Sequence, residues 1–219
     1  MGLFLKFRLR QNLLLAQVLL FLALPVSAAE PITLTLEFHK RPPNVALIYV
    51  HDASENPRSA IVDQMDKQFT SKMVVVTPGS NVIFKNSDLI DHNIFAREAS
   101  AGARFDVGLM APGGEKHVEV NWNKNVLVRV GCKIHPKMRM YIASMPAKFV
   151  KIVEFNRNQK SVDVVLSELP DNTRRVFVEI PRYEPLEISL EAGAIHQKAL
   201  VKNGKLRGSV RLQRSGYEK

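Results

Sequence analysis

One stretch narrows what this chain can become more than any other: Gly131 to Tyr141, which reads Gly-Cys-Lys-Ile-His-Pro-Lys-Met-Arg-Met-Tyr. It carries the only cysteine, so no disulfide can form within the chain and packing must hold the fold together. The residues before it, Asn125-Val-Leu-Val-Arg-Val-Gly, read as a β-strand, which puts Cys132 at a strand end where a loop can wrap. His135 follows on that loop, then Met138, and Pro136 between them restricts the backbone. The fold has to deliver this loop in one shape.

The rest of the chain is patterned for strands. Ile32, Leu34, Leu36 and Phe38 alternate with Thr33, Thr35 and Glu37, the period of a half-buried strand. Val45 to Val50 reads as a second strand, and Met73 to Thr77 and Asn81 to Lys85 as two more around the turn dipeptide Pro78-Gly79. Ile61 to Lys67 suggests a short helical turn. Gly108 to Gly114 reads as an apolar loop before a strand from Glu115 to Val120, its Leu109 and Met110 suited either to a docking surface or to the core. Strand patterns return from Phe149 to Phe155, Ser161 to Leu166, Arg175 to Ile180, Leu186 to Leu190 and Leu206 to Leu212. The expectation is an all-β chain, divided at Met145-Pro146-Ala147 into a unit over 29–145 and a smaller β-rich region over 146–219.

The chemistry lies in the combination of residue types. Asp91-His92-Asn93 supplies a second histidine to join Cys132, His135 and Met138. A thiolate, two imidazoles and a weaker thioether are the donors of a His₂Cys copper site of the electron-transfer kind, in which soft sulfur suits Cu(I) and imidazole suits both oxidation states. Met140 is a second candidate for the thioether position, at the longer Cys-x₂-His-x₄-Met spacing. An unpaired cysteine in an exported chain also calls for an explanation, and ligation of one copper ion supplies it. The bland alternatives are a cysteine buried as a small hydrophobe and histidines that serve only packing.

These residues carry a resemblance. Val74-Val-Val-Thr-Pro-Gly-Ser-Asn-Val-Ile-Phe-Lys-Asn-Ser-Asp88, then His92-Asn-Ile-Phe95, then Cys132-x-x-His-Pro-x-Met138 resemble the cupredoxins, in particular the amicyanin-like and plastocyanin-like branch with a short ligand loop, and the periplasmic methylamine-utilisation type of protein. The resemblance covers about a third of the chain, from Met73 to Ile142. It implies a Greek-key β-sandwich with one type 1 copper held by His92, Cys132, His135 and Met138. It also implies that Asn93 ties the two ligand loops together by hydrogen bonding near the thiolate. The His-Pro-x-Met form favours Met138 over Met140. A weaker likeness to transthyretin-like domains attaches to Ser167 to Ile180.

Met1 to Ala28 has the anatomy of a signal peptide: Lys6, Arg8 and Arg10 in front, an apolar run from Leu13 to Leu24, and Val26-Ser-Ala28 as a cleavage site. The run is short for a spanning helix. We therefore expect export to a periplasm with no membrane span after cleavage. Lys and Arg number 31 against 21 Asp and Glu, a balance that bears on partners. A nucleic-acid partner fits neither export nor any reading motif here. Lys133, Lys137 and Arg139 flank the expected electron exit at His135, where they would steer an acidic redox partner such as a c-type cytochrome or a dehydrogenase. The expected function is one-electron transfer without catalysis. A copper chaperone or sensor using Met138, Met140 and Met145 is the alternative. A copper enzyme would need further histidine clusters, and His39, His51, His117 and His196 are scattered.

Overall fold

Strand β2 (Val45–His51) shows how the chain is organised. It is apolar along nearly its whole length, and Val45 to Val50 are all buried, the pattern of a strand covered on both faces. Ala46, Ile48 and Val50 face one hydrophobic core, while Val45, Leu47 and Tyr49 face a second cluster on the other side. The computed structural model describes residues 32–191 and 197–214, so the expected leader and His196 lie outside the described residues. Among the described residues no helix is long and apolar enough to cross a membrane.

The described chain is all-β, as its alternation predicts, and forms two sandwiches. In the first, five strands lie in the order β6 (Met73–Val76), β12 (Arg139–Ser144), β11 (Val126–Cys132), β8 (His92–Glu98) and β9 (Ala103–Met110). Facing them are β10 (Glu115–Glu119), β7 (Asn81–Lys85) and β3 (Ala60–Val62). Phe84, Val118, Ile94, Val130, Met140 and Ile142 meet between these sheets. A small hairpin, β4 (Gln64–Met65) and β5 (Gln68–Phe69), stands where a helical turn was expected. Its linking residues Asp66 and Lys67 both have positive φ, 51° and 56°, the geometry of a two-residue hairpin turn.

The second sandwich sets β14 (Ser161–Leu166), β1 (Ile32–Phe38), β18 (Lys205–Arg214) and β17 (Gln197–Lys202) against β13 (Ala147–Glu154), β2, β15 (Arg175–Glu179) and β16 (Leu186–Ser189). The unit expected over 29–145 therefore loses its first two strands. β1 inserts between β14 and β18, and β2 between β13 and β15. Alternation marks which face of a strand is buried but not which strand it pairs with. Gly208 permits the β1–β18 pairing: a Cβ there would overlap the Glu37 carbonyl oxygen. Val45, Leu47 and Tyr49 pack with Met73, Val75 and Met145, joining the two sandwiches through apolar contact.

Two strands near the proposed ligand loop, β8 and β9, are not among the strands read from the sequence pattern. The expected loop over 108–114 begins inside β9, and the turn itself is confined to 111–114. Of the two apolar residues there, Leu109 is exposed and Met110 is buried in the core.

Candidate metal centre

Two adjacent strands bring the central residues together. Cys132 is the last residue of β11 and His92 the first of β8, and these strands pair antiparallel with Cys132 opposite Ile94. The loop after Cys132 closes on itself through a hydrogen bond from the Met138 N–H to the His135 carbonyl, 2.9 Å. That turn points His135 back toward Cys132. His92, Cys132 and Met138 are buried, and His135 is half-buried.

Three donor atoms converge. Cys132 Sγ lies 3.8 Å from His92 Nδ1 and 3.6 Å from His135 Nδ1, and the two Nδ1 atoms are 3.1 Å apart. No other group of three His, Cys, Asp or Glu side chains among the described residues is placed to hold a metal ion. A metal about 2.0 Å from each nitrogen and about 2.3 Å from the sulfur, with angles near 120°, needs its nitrogens ~3.5 Å apart and each ~3.7 Å from the sulfur. The donors are already spaced for such an ion.

The surroundings orient these donors. His92 Nε2 lies 3.1 Å from Asp88 Oδ2, so a proton on Nε2 leaves the Nδ1 lone pair free to face the cluster. Asp88 is itself fixed: the Lys67 and Leu89 backbone N–H groups donate to its carboxylate at 2.8 and 2.9 Å. The Lys67 bond leads the effects that hold its carboxyl below the usual range. Buried Asn86 locks the loop underneath, its side-chain amide donating to the Ile90 and Met110 carbonyls. Burial, followed by the nearby charges of His92 and Lys67, holds the His135 imidazole below its ordinary pKa and favours the neutral ligand form.

Asn93 joins the His92 and Cys132 segments through its backbone. Its N–H donates to Cys132 Sγ at 3.4 Å, and its carbonyl accepts from the Lys133 N–H at 2.9 Å. The side chain turns the other way and donates to Asp106 at 3.0 Å. Asp106 also pairs with Lys133 and accepts from the Gly108 N–H at 3.1 Å. With the Lys133 contact foremost, its carboxyl is pulled down to about 2.

The basic rim is thus less uniform than the sequence implied. Lys133 is neutralised by Asp106, and Arg139 Nε donates to the Pro136 carbonyl at 3.1 Å. Lys137 is exposed and belongs to no ion pair among the described residues. Leu89, Leu109 and Ile134 are exposed at this same end: Leu89 on the loop leading to His92, Leu109 opposite Asn93, and Ile134 beside His135. His39, His51 and His117 are exposed and lie apart from the cluster, with His117 bonded to Glu115. Trp122 lies just past the end of β10 and stacks on Phe105. Asp88 and Asp106 are the residues that sequence reasoning missed. The first had a faint signal, a carboxylate four residues before His92; the second reaches the site only through β8–β9 pairing.

No known family profile matches the chain, and no curated protein does. Solved structures similar to it include a purple cupredoxin from Nitrosopumilus maritimus, at 14% identity over 39% of this chain and 98% of that one, TM-score 0.34. Amicyanin from Paracoccus versutus is similar at 15% identity over 47% of this chain and 99% of that one, TM-score 0.35. A copper-containing nitrite reductase from Thermus scotoductus is similar at 20% identity over 40% of this chain, TM-score 0.35, and the match spans 22% of that protein's length. Identities and scores this low leave the case for the site to its own geometry. Fold and donors together define a β-sandwich protein with a His₂Cys corner able to hold a metal ion.

Proposed function

We propose that this chain is an exported one-electron carrier that binds a single type 1 copper through His92, Cys132 and His135, with Met138 as the weaker fourth ligand. The spacing of the one sulfur and two nitrogens, 3.1 to 3.8 Å apart, is the observation that carries this reading. Copper bound there would supply reversible one-electron exchange, with sulfur favouring Cu(I) and imidazole serving both states. The chain's own residues do the rest. Asp88 and Asn93 hold His92 and Cys132 in place before the ion arrives, which keeps the donors from rearranging between oxidation states. Burial of Cys132 protects its thiolate from the oxidants of an exported environment.

Met138 is the better axial candidate because it lies on the loop that carries His135, whereas Met140 sits within β12 opposite Val130. The chaperone reading needs the methionines to gather around one ion. Met145 belongs instead to the apolar contact between the sandwiches.

His135, half-buried at the loop tip, is the electron exit. Leu89, Leu109 and Ile134 give a partner an apolar seat around it, and Lys137 with Arg139 supplies the positive charge that steers an acidic periplasmic partner such as a c-type cytochrome or a dehydrogenase. Association with such a partner should slow as salt rises, since the screening length is only about 8 Å at physiological ionic strength. The decisive experiment is reconstitution of the mature protein with Cu(II). We expect an intense visible thiolate-to-copper band that Cys132→Ser abolishes. A clean protein that binds copper without that band refutes the proposal.

A further inference from the structure

The two sandwiches leave a cleft of about 620 Å³ between them, within the range of small-molecule sites. Lys72, Arg129 and Arg139 line it from the first sandwich, and Arg182 from the second. Among the described residues none of these four cations is in an ion pair. Two carboxylates share the cleft, Glu98 and Glu179. Glu98 accepts a hydrogen bond from the Ser100 hydroxyl at 3.3 Å. Burial pushes the Glu179 carboxyl up to about 7, so at neutral pH it is only partly ionised. The lining keeps two or more positive charges unbalanced.

The excess extends beyond the cleft mouth. Lys202 sits over the Tyr183 ring, 5.4 Å from its centroid. Burial first, and then the charges of Arg182 and Arg207, hold its ammonium below the ordinary range. Arg182 and Arg207 thus crowd Lys202 with like charge at this corner. Arg182 adds a conformational sign: its φ is +69°, a left-handed backbone that a side chain with Cβ adopts at a cost. The turn from Ile180 to Tyr183, closed by a 2.9 Å hydrogen bond, keeps it there.

We propose that this cleft binds a small dianion of the carboxylate or phosphate type. Arginine guanidinium groups present paired N–H donors that match either oxyanion. Tyr141 and Tyr183, one from each sandwich, line the same space and give the ligand's carbon frame an aromatic wall. Because both sandwiches contribute, the site exists only in the full fold. None of the proposed metal donors lines it, so it stands or falls apart from copper binding.

The test is calorimetric titration of the metal-free, full chain with inorganic phosphate and, separately, with succinate, at fixed ionic strength. We expect saturable binding of at least one probe at one equivalent per chain. Binding of phosphate alone assigns a phosphate-type ligand, and of succinate alone a dicarboxylate. Arg129→Ala should weaken it by about tenfold or more, since a charged hydrogen bond is lost. Arg182→Gly should weaken it similarly while raising the melting temperature, because glycine accepts the left-handed backbone. Lys148→Ala, an exposed lysine on β13 outside the cleft, should leave it unchanged. Absence of saturable binding with both probes overturns the proposal, as does equal weakening in Lys148→Ala.

Discussion

The Asn93 backbone N–H reaches Cys132 Sγ at 3.4 Å, while the Asn93 side chain is held at 3.0 Å by Asp106, which also pairs with Lys133. One carboxylate on β9 therefore braces the residue after each of the two deeply buried donors, His92 and Cys132. The Asn93 amide oxygen is buried with no partner, so its side chain depends on Asp106 alone. Asp106→Ala should leave the fold intact and weaken copper binding by about tenfold, the lower end for outer ligand supports. Competition with a chelator measures this. Asp106→Asn should fall between, since it keeps one acceptor but loses the charge that holds Lys133. Parental affinity in both variants would show that the brace is dispensable.

Asp88 Oδ2, 3.1 Å from His92 Nε2, is placed to select the tautomer of His92. In the metal-free protein, nitrogen NMR of His92 should report a proton on Nε2, and Asp88→Ala should leave a mixture of tautomers. Copper affinity should drop about 10- to 100-fold in that variant, because the ring must then choose its tautomer and orientation on binding. Unchanged NMR shifts would place the control of His92 elsewhere.

Stability should depend on pH through Glu179. Its carboxyl is pushed up to about 7 by burial, against 4.5 unperturbed. The folded state holds the proton of a raised acid more tightly, so the stability that Glu179 contributes is fully present below pH 4.5 and is lost as pH rises through 7. At about 1.4 kcal/mol per pKa unit the ceiling is ~3.5 kcal/mol, and partial exposure of the group brings it lower. Glu179→Gln should match the parent near pH 4 in urea unfolding and exceed it near pH 8. A variant no more stable at pH 8 would mean that the cleft cations already offset the charge.

A chain ended after Ala147 should not fold as a copper domain with a clean N-terminal extension. It would strip β1 and β2 of every pairing strand and expose Leu34, Leu36, Ile48 and Val50, all now buried. We expect aggregation by size-exclusion chromatography, and recovery of a soluble species when residues before 58 are removed as well. A soluble, well-folded 29–147 fragment would contradict the strand pairing described here.

Much of the donor set was visible in the linear chain because it depends on local order. Cys132 ends β11 and His135 lies on the loop that follows it, and the strand before them follows from Val126 to Val130. The β class was equally open to reading, since alternation in β1 and in Leu186 to Leu190 reports burial of one face directly. Membership of a sandwich was not: Ile32 to Phe38 alternates identically whether it pairs with β7 or with β18. Asp106 carries no mark of its role, because its reach to Asn93 and Lys133 comes from β8–β9 register. The four cations that line the cleft come from segments as far apart as Lys72 and Arg182. Local sequence determines which residues can face a core or hold an ion; long-range strand pairing, which periodicity does not encode, decides which of them meet.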